Sequence, residues 1–83
     1  VTAPAELAER LLAEVGGPGN VTALSRCWAR LRFELADPAL ADEASVSAVP
    51  EVVIAVHQHG QFQVALRSGL VEVFRELERL LAR

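Results

Sequence analysis

Arg30-Leu31-Arg32-Phe33-Glu34-Leu35 is the run from which the rest of the chain can be oriented. Leu31, Phe33 and Leu35 alternate with Arg30, Arg32 and Glu34, and a strand's period of two sends the first set to one face and the second to the other. That is the pattern of an antiparallel sheet covered on one side only. Upstream, Val21 to Arg26 has the β-branched and apolar character of a short strand, with Cys27 at its end. Downstream, Val52, Ile54 and Val56 alternate, as do Phe62, Val64 and Leu66, and His57-Gln58-His59-Gly60 between them reads as the tight connection of a hairpin.

Around these strands the period changes. Leu7, Leu11, Leu12 and Val15 recur at helical spacing, Pro4 suits a first turn behind Thr2 or Ala3, and Gly16-Gly17 stops the element, so a helix is predicted over 3–15. Asp37-Pro38 has a capping carboxylate followed by a residue with no amide to leave unpaired, and predicts a short helix to about Ala44. Leu70, Val73, Phe74, Leu77, Leu80 and Leu81 trace one face of a third helix behind a Ser68 cap, with Glu72-Arg75 and Glu76-Arg79 as exposed pairs. The order is α-β-β-α-β-β-α. Every apolar stripe is satisfied if three helices pack on one face of a four-stranded antiparallel sheet, an α+β fold. The other face stays wet and collects Arg30, Arg32, Glu34, Gln61, Gln63 and Arg67.

Bulk properties agree with one module over 1–83. Eighty-three residues, 52% of them apolar, supply one modest core. A net charge of -3 argues against a general nucleic-acid footprint, and aromatic residues for base stacking are nearly absent beyond Trp28. The single cysteine excludes an internal disulfide and a Cys-x-x-Cys pair, which suits a reduced cytosolic setting. The apolar runs fall short of the roughly 20 residues of a membrane span, and the stripe Leu70, Phe74, Leu77, Leu81 is needed for the core. His57 and His59 with Cys27 are too few ligands for zinc and read as solvated hairpin residues.

The chemistry gathers in Arg26-Cys27-Trp28-Ala29-Arg30-Leu31-Arg32, where a lone thiol is flanked by three guanidiniums. Nearby positive charge favours the thiolate, and a turn after a strand can expose the sulfur and aim backbone amides at an anion. Arg30 and Arg32, two apart on a strand, project from one face, and their planar forks match phosphate oxygens. Against this, an isolated cysteine is commonly a small buried hydrophobe, and paired arginines on a solvated strand commonly serve solubility. Trp28 beside the thiol is either a docking anchor or a side chain folded onto the local surface.

Gly16-Gly17-Pro18-Gly19-Asn20-Val21, then Leu24, Cys27 and Arg30-Leu31-Arg32-Phe33, then Asp37, resembles the IIB domain of the phosphoenolpyruvate-dependent sugar phosphotransferase system, in its glucose and β-glucoside (sucrose) superfamily. Gly60-Gln61-Phe62-Gln63-Val64 followed by Val71-Glu72-Val73-Phe74 is similar to that family's Gly-Gln-aromatic-Gln-Val strand and closing helix. The resemblance implies that Cys27 accepts a phosphoryl group from a phosphohistidine of enzyme IIA and passes it to a sugar bound by membrane-embedded enzyme IIC. It implies a cytoplasmic domain held at the inner face of the membrane through IIC, either free-standing or part of a longer permease. The family's Cys-x-Thr-Arg-Leu-Arg motif falls on Cys27, Trp28, Ala29, Arg30, Leu31 and Arg32, and implicates the two arginines in transfer. No metal and no organic cofactor are expected, because the arginines can supply the countercharge that magnesium supplies in nucleotide kinases.

Three positions depart from the family pattern. Ala29 stands where the family has threonine, which removes a hydroxyl from the phosphate turn. Arg67 stands where it has glycine after the strand, which is expected to add positive charge to the wet face. Ala48-Val49-Pro50 lacks the glycine usual before the third strand. Ala29 motivates a second reading, an IIB-like docking or regulatory module with little transfer of its own, and the arginine-flanked thiol a third, a redox switch. The sugar is not legible.

Overall fold

The computed structural model describes residues 3–82. Helix α1 (Pro4–Glu14) opens with proline at N1 and no side-chain cap on Ala3; the alternative start at Thr2 lies outside the described residues. Leu7, Ala8, Leu11 and Leu12 are buried along one stripe, and Val15 is buried just past the last turn. The chain then reverses through Gly16 and Gly17. Gly16 has φ of 100°, and a Cβ there would lie 2.8 Å from Asn20 Nδ2 and 2.9 Å from Leu40 Cβ. Both the conformation and the space require glycine.

Strands β1 (Val21–Cys27), β2 (Arg30–Leu35), β3 (Val52–Gln58) and β4 (Gln61–Leu66) form one antiparallel sheet in the order β1-β2-β4-β3. The fold class and element order are those predicted, with α2 (Glu43–Ser47) and α3 (Leu70–Leu81) completing the set. Leu31 and Phe33 of β2 face Val64 and Phe62 of β4 across the ladder, and all four are buried beneath the helices. Val73 and Leu77 of α3 close that core, with Leu70, Phe74, Leu80 and Leu81 packed at its margin. The apolar stripe of α3 is therefore core. Of its two expected ion pairs, Glu76 and Arg79 meet at 2.8 Å.

Three boundaries differ from the sequence reading, each for a local reason. The helix predicted from Asp37 to Ala44 is split. Asp37 caps only a 3-10 turn, Pro38–Leu40; Ala41 and Asp42 are extended, and Asp42 caps α2 by accepting from Ala44 N at 3.2 Å. The break is held by β3: His57 Nε2 lies 2.9 Å from the Ala41 carbonyl, and His57 N donates to Glu43 Oε2 at 2.6 Å. Second, the β3–β4 connection has two residues rather than four. His57 and Gln58 pair with Phe62 and Gln61, leaving His59 (φ 53°) and Gly60 (φ 74°) as the turn. Positive φ at both central positions is the type I′ requirement that matches strand twist. Third, α3 starts from Gly69 in the left-handed region with no side-chain cap, so Ser68 does not cap it.

Candidate functional site

Cys27 is the last residue of β1, and its Cα partner across the ladder is Arg30, the first of β2. The hairpin closes through Trp28 and Ala29, with Trp28 at φ 51°. A bulky residue there costs on the order of 1 kcal/mol. Trp28 is 94% exposed, which rules out a side chain folded onto the local surface. Cys27 is exposed, not buried. Directly opposed residues project to the same side of a sheet, so Cys27 with Arg30, and Ser25 with Arg32, occupy the face that carries no helix. Cys27, Arg30, Arg32, Gln58, His59 and Gln63 line one open depression of about 390 Å³ beside the Trp28–Ala29 turn.

The two arginines are held differently. Arg30 donates from Nη1 to Gln63 Oε1 at 3.0 Å and to Gln58 Oε1 at 3.2 Å. Gln63 lies in the middle of the open face yet is only 5% exposed, and its Nε2 donates to Gln61 Oε1 at 3.3 Å. Arg32, opposite Gln63, has its Nε shielded from solvent with no hydrogen-bond partner. A buried donor left unpaired is costly, and an acceptor arriving in the depression would relieve that cost.

Other expected participants lie elsewhere. Arg26 pairs with Leu31 and so points to the helix side, where its guanidinium sits 5.5 Å from the centroid of the Phe74 ring. Only two of the three flanking guanidiniums share the thiol's face. Arg67 donates from Nε to the Pro50 carbonyl at 2.9 Å and does not line the depression, so it ties the end of β4 to the entry of β3 instead of enriching the site. Two departures from the family pattern are thus one contact. His57 is exposed, as expected, but lies in β3 and not in the loop, and its ring packs against Phe62 at 4.8 Å besides reaching Ala41. Among the described residues no three His, Cys, Asp or Glu converge as a metal site would require.

Residues 9–42, which include the thiol, the turn and both arginines, match the family model described as phosphotransferase system, EIIB. The chain is 35% identical over 93% of its length to the arbutin-, cellobiose- and salicin-specific EIIBC component of Escherichia coli (strain K12). It is 40% identical over 88% of its length to the sucrose-specific EIIBC component of Staphylococcus xylosus. The chain belongs to the EIIB family of the sugar phosphotransferase system. Its fold superposes on one domain of a phosphotransferase-system IIabc component from Clostridium difficile with a TM-score of 0.77 and 27% identity, covering 93% of this chain and 82% of that one. The chain spans only 16% and 15% of the two EIIBC relatives, whose names pair EIIB with a further component. No helix among the described residues of this EIIB chain is long and apolar enough to cross a membrane.

Two residues of this EIIB site, Gln63 and Gln58, take parts that the sequence does not predict. Alternation along β4 puts Gln63 on the wet face, but its burial under Arg30 follows from β2 lying beside β4. The sequence predicts a loop at Gln58, whereas it is the last residue of β3 and reaches Arg30 across β4. Strict alternation of Gln61 and Gln63 with Phe62 and Val64 was the available signal for the first. Nothing local signalled the second.

Proposed function

We propose that this EIIB domain is a phosphoryl carrier: Cys27 takes a phosphoryl group from a phosphohistidine of a IIA component and delivers it to a sugar held by a IIC component at the cytoplasmic face of the membrane. The observation that carries this reading is the exposed thiol paired directly with Arg30, in the same depression as Arg32 and its unspent Nε. In the first step the thiolate sulfur attacks phosphorus in line; the S–P bond forms as the N–P bond breaks, and the histidine nitrogen keeps the electron pair. In the second a sugar hydroxyl attacks, the O–P bond forms, the S–P bond breaks with its electrons returning to sulfur, and the hydroxyl proton is surrendered to a base. Charge on the equatorial oxygens is met by guanidinium donors, which act without a metal or organic cofactor in this domain. Trp28, exposed beside the sulfur, anchors the docking partner that covers the thiol during each step.

Incubation with phosphoenolpyruvate, the general phosphotransfer proteins and a IIA component should label Cys27. Label that persists in Cys27→Ser, which leaves the chain without a thiol, removes the proposal. Arg30→Ala and Arg32→Ala should each slow delivery to sugar by about 10²–10³-fold, the usual cost of one lost charge-stabilising donor. Both should keep the fold.

A second reading rests on Ala29, which brings no hydroxyl to the turn beside the thiol: a docking or regulatory module in which transfer is slow. Ala29→Thr separates the two. A large gain in transfer rate marks the natural chain as attenuated, and an unchanged rate supports the full carrier.

A further inference from the structure

Arg30 is held by one nitrogen only. Both of its bonds leave from Nη1, to Gln63 Oε1 and Gln58 Oε1, and both acceptors are uncharged amides. A guanidinium carries five N–H donors in a rigid plane, and forked recognition of a phosphate takes two of them along one edge. With Nη1 occupied, Nε and Nη2 make no bond within the described residues, and Arg30 lines the depression that holds Cys27. The kind of acceptor matters as much as its place. A carboxylate would hold the arginine as firmly but would cancel its charge and compete with an incoming anion, whereas an amide oxygen fixes the side chain and leaves the cation whole.

The amides are themselves oriented. Gln63 Nε2 donates to Gln61 Oε1, which leaves the Gln63 oxygen turned to Arg30. Gln61 pairs in the ladder with Gln58, the second holder of Arg30. Three glutamines from β3 and β4 therefore form one network whose output is a single arginine position.

Resting on the carrier reading above, we propose that Gln58 and Gln63 are positioning residues for Arg30: they clamp Nη1 without neutralising the guanidinium, so that its Nε–Nη2 edge is presented to a phosphoryl group at Cys27. Neither touches the phosphoryl group.

The test uses inorganic phosphate and the ¹⁵N-labelled chain, following the Arg30 Nε–Hε resonance by NMR. Phosphate should shift that resonance in the wild-type chain. Gln58→Leu, at an exposed position on the edge strand, should weaken the apparent phosphate affinity about 3- to 10-fold, as expected when a charged donor loses a hydrogen-bonded partner. Gln58→Glu keeps the size and strengthens the hold on Arg30, yet should weaken phosphate by about 10-fold or more because the anion then meets a neutralised cation. A glutamine with a merely structural part would tolerate that change. Gln63→Glu should act in the same direction; being buried it can also unfold the chain, so the two Gln58 variants decide. An Arg30 resonance indifferent to phosphate, or wild-type affinity in both Gln58 variants, overturns the proposal. Labelling of Cys27 is scored separately: its absence counts against the carrier reading, while the phosphate titration alone decides the clamp.

Discussion

Asn20 shows how much one buried polar side chain can hold. It is 6% exposed, and its Nδ2 donates to Val15 O at 2.8 Å and Asp37 O at 3.0 Å, while its Oδ1 accepts from Asp37 N at 2.9 Å. One amide thus joins the end of α1 to the exit of β2, and its donors and acceptor are all used. Asn20→Ala leaves two carbonyls and an amide to find water or go without, so a loss of about 2–4 kcal/mol is expected from urea unfolding at unchanged m-value. Asn20→Asp should do similar damage, because a carboxylate cannot donate to the two carbonyls. Trp28 is the opposite case. Its side chain is in solvent while its backbone is in the left-handed region, so Trp28→Gly should leave stability unchanged or raise it by up to about 1 kcal/mol. The same variant should slow phosphoryl transfer from IIA through a higher KM, as loss of a docking anchor requires. A folded-state role for Trp28 would instead appear as a lower urea midpoint.

Among the elements, α2 is the most dependent on its ends. Five residues cannot hold a helix by propensity, and Glu43–Ser47 is kept by Val46 in the core, by the Glu43 contact to β3 and by the Asp42 cap. The hydrogen bond from Ser45 Oγ, and then the Ala44 amide, hold the Asp42 carboxyl below its ordinary range. A depressed carboxyl stabilises the fold above its unfolded pKa and loses that contribution as pH falls through the folded value. The acid-side loss from this group therefore falls at and below the usual carboxylate range near about 3.9. Asp42→Asn retains an acceptor for the cap and should flatten this part of the stability profile, checked by urea midpoints between pH 5 and 2.5, taken as roughly the carboxylate titration range. An unchanged profile would show that the Asp42 charge contributes nothing. The β3 edge has its own protection: the register shifts between Val52 and Ile54, and a bulge there interrupts the flat edge that another strand could extend.

Over the whole molecule charge is unevenly placed. The net charge is -3, yet the depression at Cys27 is lined by Arg30 and Arg32 and by no acidic side chain. On the proposed carrier function, those two cations would steer a partner that offers a phosphoryl group to this face. Transfer from IIA at low concentration should slow several-fold as ionic strength rises from about 0.01 M to 0.15 M and the screening length shrinks. A rate flat in salt, measured below saturation, would place the docking energy in Trp28 and apolar contacts instead. At this scale the reach of the sequence can also be seen. Alternation at Arg30–Leu35 and Phe62–Leu66 and the 3.6-residue stripes of α1 and α3 are local periods, so strand, helix and wet face could be read from the chain itself. The thiol and the two arginines of its face were legible for the same reason, since two residues two apart on a strand share a side. Strand order is a different kind of fact. It puts β4 between β2 and β3, and only then does Arg30 meet Gln58 and Gln63, which are 28 and 33 residues away. The break at Ala41–Asp42 also waited on β3, because its carbonyl partner is a histidine 16 residues on. Periodicity acts through neighbours along the backbone, whereas the clamp on Arg30 and the split helix depend on hydrogen bonds between segments that only packing brings together.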